Sequence, residues 1–314
     1  MGFIPHFLAG GLFNRYEMNK KLDEISAITE PAWKLIDTLD GTTGFSGEWV
    51  APDVFGDGSA YDLGVYMIGG GESGEAYAYL YKDLNTGNER SGYARGGSSG
   101  NAVNHIFPGV APGSVYAWVV GKGGIAVTVT NDYHSDKNAG GTTSFWGVTA
   151  AGGEGINSSC PSRNAISGTI HRYFAGMSAT YSQYSDYGRD SVTLERLILN
   201  QFDQTMISLA HGMGASVDLF VDEELPNVSV YSHKETPGIP NPTIGVLGTA
   251  AVAASKSGES LTVKAVSGTY GNGGGGACAL SGTTRPSSSA TVTATSGAGG
   301  DGVIFLYARK AVTE

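Results

Sequence analysis

The sequence predicts a mainly β protein, an antiparallel β-sandwich with glycine-rich loops, preceded by a short N-terminal helical segment and interrupted by a mixed insertion. Three observations lead there. Apolar runs that alternate or are β-branched recur from Trp49 onward, and each is closed by a glycine cluster that can turn at positive φ without steric cost. Glycine supplies 49 of 314 residues, but without the strict every-third spacing of a collagen triple helix. The chain is 40% hydrophobic, with 16 tyrosines and 4 tryptophans, which is too much apolar surface for a disordered low-complexity protein. It must fold around a core.

Taken in order, residues 1–46 form an N-terminal helical attachment segment. Asn14 precedes a stretch in which Met18, Leu22, Ile25 and Ile28 recur at helical spacing, and Pro31 interrupts it. Ala32 to Leu39 then reads as a second turn or two of helix before Gly41 and Gly44. The stripe is too short to stand alone, so it packs on its own domain or on a neighbour. Met18, Leu22, Ile25 and Ile28 are the candidate assembly residues, and a three-fold seam is one arrangement they could line.

Residues 47–155 and 256–314 make the glycine-rich domain. It opens on Trp49-Val50-Ala51-Pro52 and continues with a strand ending Val65-Tyr66-Met67-Ile68-Gly69-Gly70-Gly71. A Pro-Gly turn, Phe107-Pro108-Gly109-Val110-Ala111-Pro112-Gly113, leads into Val115-Tyr116-Ala117-Trp118-Val119-Val120-Gly121-Lys122-Gly123-Gly124. Then come Gly140-Gly141-Thr142-Thr143-Ser144-Phe145, Ala150-Ala151-Gly152-Gly153, and the closing Gly297-Ala298-Gly299-Gly300-Asp301-Gly302-Val303-Ile304-Phe305-Leu306-Tyr307. Over 47–155 and 256–309 this order resembles the glycine-rich domain found at the ends of bacteriophage tail fibres and related virion proteins. The chain differs in that tyrosine and serine dilute its glycine runs and about 100 residues interrupt the pattern.

That resemblance implies a phage virion structural protein, made in the host cytoplasm, which as a tail-fibre or receptor-binding protein recognises the host surface without catalysis. A purely structural component, such as a head fibre or a baseplate or tail connector, is the alternative, and a polysaccharide depolymerase a second. The implied partners are other virion proteins, through the N-terminal segment, and a host surface glycan or protein. A homo-oligomer is implied as well, fibres of this kind being commonly trimeric.

The insertion, residues 156–255, begins with tyrosine- and serine-rich sequence from His171 to Gly188. Tyr173, Tyr181, Tyr184 and Tyr187 are the candidate ligand contacts, because tyrosine offers flat amphipathic area at low entropic cost. From Ser191 to His211, Leu194, Leu197, Ile198, Phe202, Met206 and Leu209 fall three and four apart before Gly212, which predicts one amphipathic helix; Val192 to Leu194 and Met206 to Leu209 also fit strand ends. Strands are expected at Val217 to Val221 and Val228 to Tyr231, and Pro237 to Pro242 as a rigid link.

Charge and chemistry narrow the function. The net charge is −10 and the basic residues are scattered, the opposite of a phosphate-binding footprint. The longest apolar stretch, Val246 to Ala254, is far short of a membrane helix, and the amino terminus shows no secretory pattern. Neither nucleic acid nor membrane insertion is expected. Gly69, Gly71 and Gly74 match a dinucleotide fingerprint, but the residues that follow alternate like a strand where a helix is required. Gly96, Ser98 and Gly100 match a nucleophile elbow that lacks its apolar strand.

The six histidines, His6, His105, His134, His171, His211 and His233, are isolated, and Asp132, His134 and Asp136 are too few to cage calcium. No catalytic residue, metal or cofactor is expected. Cys160 and Cys278 suit either two reduced thiols or a bridge from the insertion to the last glycine-rich segment.

Overall fold

A computed structural model describes residues 32–82, 89–132, 135–154, 172–174, 196–200, 202–203, 206–209, 211–220, 228–232, 243–246, 248–255, 257–283 and 288–311. Over these residues the protein is mainly β, with twenty-one strands in six sheets and no helix. The stripe Met18, Leu22, Ile25, Ile28 lies outside the described residues, as do Cys160 and the link 237–242.

Two of the sheets bury one apolar cluster between them. The larger has the order Lys34–Leu39, Val303–Lys310, Tyr61–Ile68, Ala102–Val110, Arg172–Phe174, antiparallel throughout. The smaller runs Val148–Ala150, Thr143–Phe145, Val115–Val119, Ser46–Val50. Alternation decides what enters the shared core. Tyr61, Leu63, Val65 and Met67 of one strand meet Trp49, Tyr116, Trp118 and Phe145 of the facing sheet. On the other face of the larger sheet, Tyr66, Phe305 and Tyr307 pack under Trp33 and Phe202. Gly64 makes room for this packing, since a Cβ would lie 2.6 Å from the Phe202 ring and displace it.

Three three-stranded sheets bury two further clusters. Ala76–Tyr81, Ala277–Gly282 and Ala251–Ser255 pair in parallel. Glu89–Ala94 and Val228–Ser232 flank Ala215–Phe220, and Leu261–Lys264 and Thr128–Thr130 flank Val292–Thr295. Strands from within 156–255 therefore pair with strands outside it. Val217 and Val230 lie in strands as the sequence predicts.

The two groups of sheets are joined by the glycine runs, whose conformation the sequence leaves open between strand, turn and extended packed helix. Strand Tyr61–Ile68 continues through 69–75 into strand Ala76–Tyr81, and the backbone N–H groups of 69–75 point outward in strict rotation. Gly69, Glu72 and Glu75 donate to Asn101, Ser98 and Arg95; Gly70 and Ser73 to Gly141 and Asn138; Gly71 and Gly74 to Gly300 and Gly297, all at 2.8 to 3.0 Å. Carbonyls of the same segment accept from Gly153, Gly124 and Gly274. A three-residue repeat with no internal hydrogen bond is polyproline-II geometry. Here the bonds that such a helix lacks internally are made to neighbours on every side. Segment 271–276 is a second hub of the same kind, bonded to Asp301, Glu72, Val266 and Met213.

The axes come so close that side chains are excluded: a Cβ on Gly69, Gly70, Gly71 or Gly74 would lie 2.0 to 2.3 Å from a neighbouring carbonyl oxygen. The runs are glycine for closeness of approach, not for positive φ, which among them occurs only at Gly271.

Polar side chains hold this lattice in register. A uniform glycine array could slide by three residues without losing a bond, so any residue that accepts one particular N–H removes that freedom. Glu72 Oε2 accepts the Ser98 N–H at 2.9 Å and the Lys137 ammonium at 3.1 Å, with both side chains buried. Glu75 Oε2 accepts the Arg95 N–H at 2.8 Å. Asp301 Oδ1 accepts the Gly123 N–H at 2.7 Å. Ser98 of the elbow-like match is buried in this array, its Oγ without a partner.

Two further expectations are corrected. Ala32 to Leu39 is not helical: Lys34–Leu39 is a strand, bulged between Leu35 and Asp37, at the edge of the larger sheet. Nor is Ser191 to His211 one helix, because Arg196–Leu199 and Met206–Leu209 are antiparallel strands. Asn200 turns the chain between them, its Oδ1 accepting the Phe202 N–H at 3.0 Å.

Candidate recognition surface

Because the glycine runs at 69–74, 96–100 and 271–276 are buried, they leave no bare backbone for a ligand. The exposed aromatic surface lies instead at a hairpin tip. Thr143–Phe145 and Val148–Ala150 pair with Phe145 opposite Val148, so the reversal is two residues, Trp146 and Gly147. Their φ angles are 42° and 83°, both positive as a type I′ turn requires. Asn or Asp is the usual first residue of that turn, and a bulky side chain there costs about 1–2 kcal/mol.

The hairpin base is rigid. Thr143 Oγ1 donates to the Ile68 carbonyl at 2.7 Å and accepts the Gly121 N–H at 3.0 Å. Phe145 is fully buried and stacks on Tyr116 at 5.7 Å, with Trp49 6.0 Å away in edge contact. Trp49 is itself held by its Nε1, which donates to Asp37 at 2.9 Å. On this base the Trp146 N–H donates to the Ala117 carbonyl at 3.0 Å. Its ring meets Tyr116 at 4.8 Å, edge-on, and Phe107 at 5.1 Å, yet the residue remains 55% exposed. The connection from Phe107 to Tyr116 turns at Gly109 and Gly113, which like Gly147 have positive φ and open space where a Cβ would stand. The indole is thus held against Tyr116 and Phe107 while more than half of the residue stays exposed. In the core beneath, burial pushes the Tyr61 phenol up to about 12, with a smaller contribution from Tyr116.

Val50, Val115 and Val119 are also exposed, on the outward face of the smaller sheet. Tyr116, on which Trp146 rests, belongs to the inward face.

Of the predicted ligand contacts, Tyr173 is on the edge strand Arg172–Phe174, opposite Val103. Tyr181, Tyr184 and Tyr187 lie outside the described residues. His105 is buried with its ring 4.3 Å from Phe107, and His211 is buried with Nδ1 2.8 Å from the Gly212 carbonyl. Asp132 forms an isolated bridge with Ala78, and Cys278 is buried. Among the described residues no three His, Cys, Asp or Glu side chains converge as metal ligands would. Trp146 escapes sequence reasoning because Ser-Phe-Trp-Gly-Val reads as continuous strand, and only the Trp-Gly pair hints at a reversal.

No protein-family model matches the chain, and no curated protein matches it.

Proposed function

We propose that this chain is a non-catalytic phage virion protein, a tail-fibre or receptor-binding protein that attaches the particle to the host surface. The carrying observation is the architecture of the glycine motifs. The glycine runs at 69–74, 96–100 and 271–276 are consumed in an interior lattice that holds two groups of sheets in fixed relation, which suits a stiff presenting body. The paired sheets at one end then constitute the β-sandwich of the resembled domain, and recognition is left to surface aromatics. Tyr173, Tyr181, Tyr184 and Tyr187 are proposed contacts on the insertion, and residues 1–31 the attachment to other virion proteins, as a homo-oligomer.

The test is to incubate purified protein with a panel of bacterial strains and measure both the bound fraction and the reducing ends released. Binding without sugar release is expected. Release would make the protein a depolymerase, and absence of both a purely structural component. In parallel, removing residues 1–31, which leaves strand Lys34–Leu39 in place, should abolish incorporation into particles while adsorption by the free protein persists.

A further inference from the structure

We propose that Trp146 is a stacking platform for a sugar ring of a host surface polysaccharide, an inference that rests on the attachment function proposed above. Trp146 stands at a position where its residue type is unfavourable, and packing does not account for it. A ring serving only to cover Tyr116 and Phe107 would bury itself in doing so, whereas Trp146 stays more than half exposed. Strain held at an exposed aromatic is the kind of local outlier that accompanies function.

The same device occurs a second time. Tyr270 has φ 47° and is followed by Gly271 at 76°, the Asn272 N–H closes the turn on the Thr269 carbonyl at 3.1 Å, and the tyrosine is 37% exposed. Among the described residues the remaining non-glycine at positive φ is Asn131, a residue that tolerates it.

The chemistry of the ligand follows from the surroundings. An indole face accepts the C–H face of a pyranose, and at the adjoining turn residue Gly147 nothing stands within 4 Å of where a Cβ would be, which leaves room beside the ring for sugar hydroxyls. A protein partner would call for a wider apolar centre than a single indole. With the indole clamped by Tyr116 and Phe107, little side-chain freedom remains to be lost on binding.

The experiment uses the full chain on an array of bacterial O-antigen and capsular oligosaccharides, with whole-cell adsorption alongside. Trp146→Asn removes the ring but suits positive φ, so its melting temperature should equal or exceed that of the parent while array binding falls at least tenfold. Trp146→Phe, which keeps a ring, should retain binding within a few-fold. Unchanged array binding by Trp146→Asn overturns the proposal. So does a melting loss of several degrees in Trp146→Asn with equal loss of binding in Trp146→Phe, which would make the ring a structural plug. If the parent adsorbs to cells but binds no oligosaccharide, the sugar assignment fails and attachment stands; if it does neither, both fail.

Discussion

At single positions, glycine does two separate jobs in this chain, and one substitution at each kind of site tells them apart. Gly74 lies in the lattice with no positive φ, and an added Cβ would stand 2.0 Å from the Gly275 carbonyl oxygen, backbone that cannot rotate away. Gly56 has φ 73° and nothing within 4 Å, so an alanine there meets only conformational strain. Gly74→Ala should cost more than about 3 kcal/mol in denaturant unfolding, and Gly56→Ala about 1 kcal/mol. Equal costs would mean that the glycine runs are not closely packed. The buried Glu72–Lys137 pair obeys a related logic. Removing either charge strands the other among backbone dipoles, which is why an ion pair of modest net worth can still fix the register of the segments around it.

Among the elements, the passes through the lattice combine the irregular backbone of a loop with the hydrogen bonding of a sheet. Amides 69–76 and 271–277 should therefore exchange with solvent as slowly as those of the central strand Val303–Lys310, while amides 53–59 of the exposed turn exchange fast. Hydrogen exchange followed by mass spectrometry checks this, and rapid exchange across 69–76 would dismantle the lattice. Strand positions were legible in the sequence where alternation was clean, as at Tyr61–Ile68 or Val115–Val119, because the two faces meet different surroundings. The glycine passes were not legible as such, since a run able to turn and a run forced into close approach share one composition. Arg196–Leu199 and Met206–Leu209 imitate helical spacing because two short apolar strands separated by residues 200–205 happen to place their apolar residues three and four apart in sequence. The mainly β character could be anticipated. The exposed tryptophan could not, because its meaning depends on a reversal that leaves almost no trace in the residues around it.

For the whole molecule, the connectivity argues that the described layers unfold together, although a chain of 314 residues would ordinarily divide into separately melting domains. Strand Val303–Lys310 pairs with Lys34–Leu39 on one side and Tyr61–Ile68 on the other, so the larger sheet is completed only by the last stretch of sequence. Segment 296–302 leads into it and bonds within the lattice to Gly121, Gly124 and Asn272. Segment 69–75 likewise belongs to the sheets on both sides of the lattice through its flanking strands. No layer can lose its order without freeing backbone groups in the next, and each freed buried group carries a desolvation cost of about 1–3 kcal/mol. Calorimetry should then show one transition for the layered body, with the calorimetric enthalpy close to the van't Hoff value. A fragment ending at Gly155, which lacks 271–276, 296–302 and the central strand, should be insoluble or unfolded. Two well-separated transitions in the full chain, or a cooperative melt from that fragment alone, would show that the glycine lattice does not couple the sheets it joins.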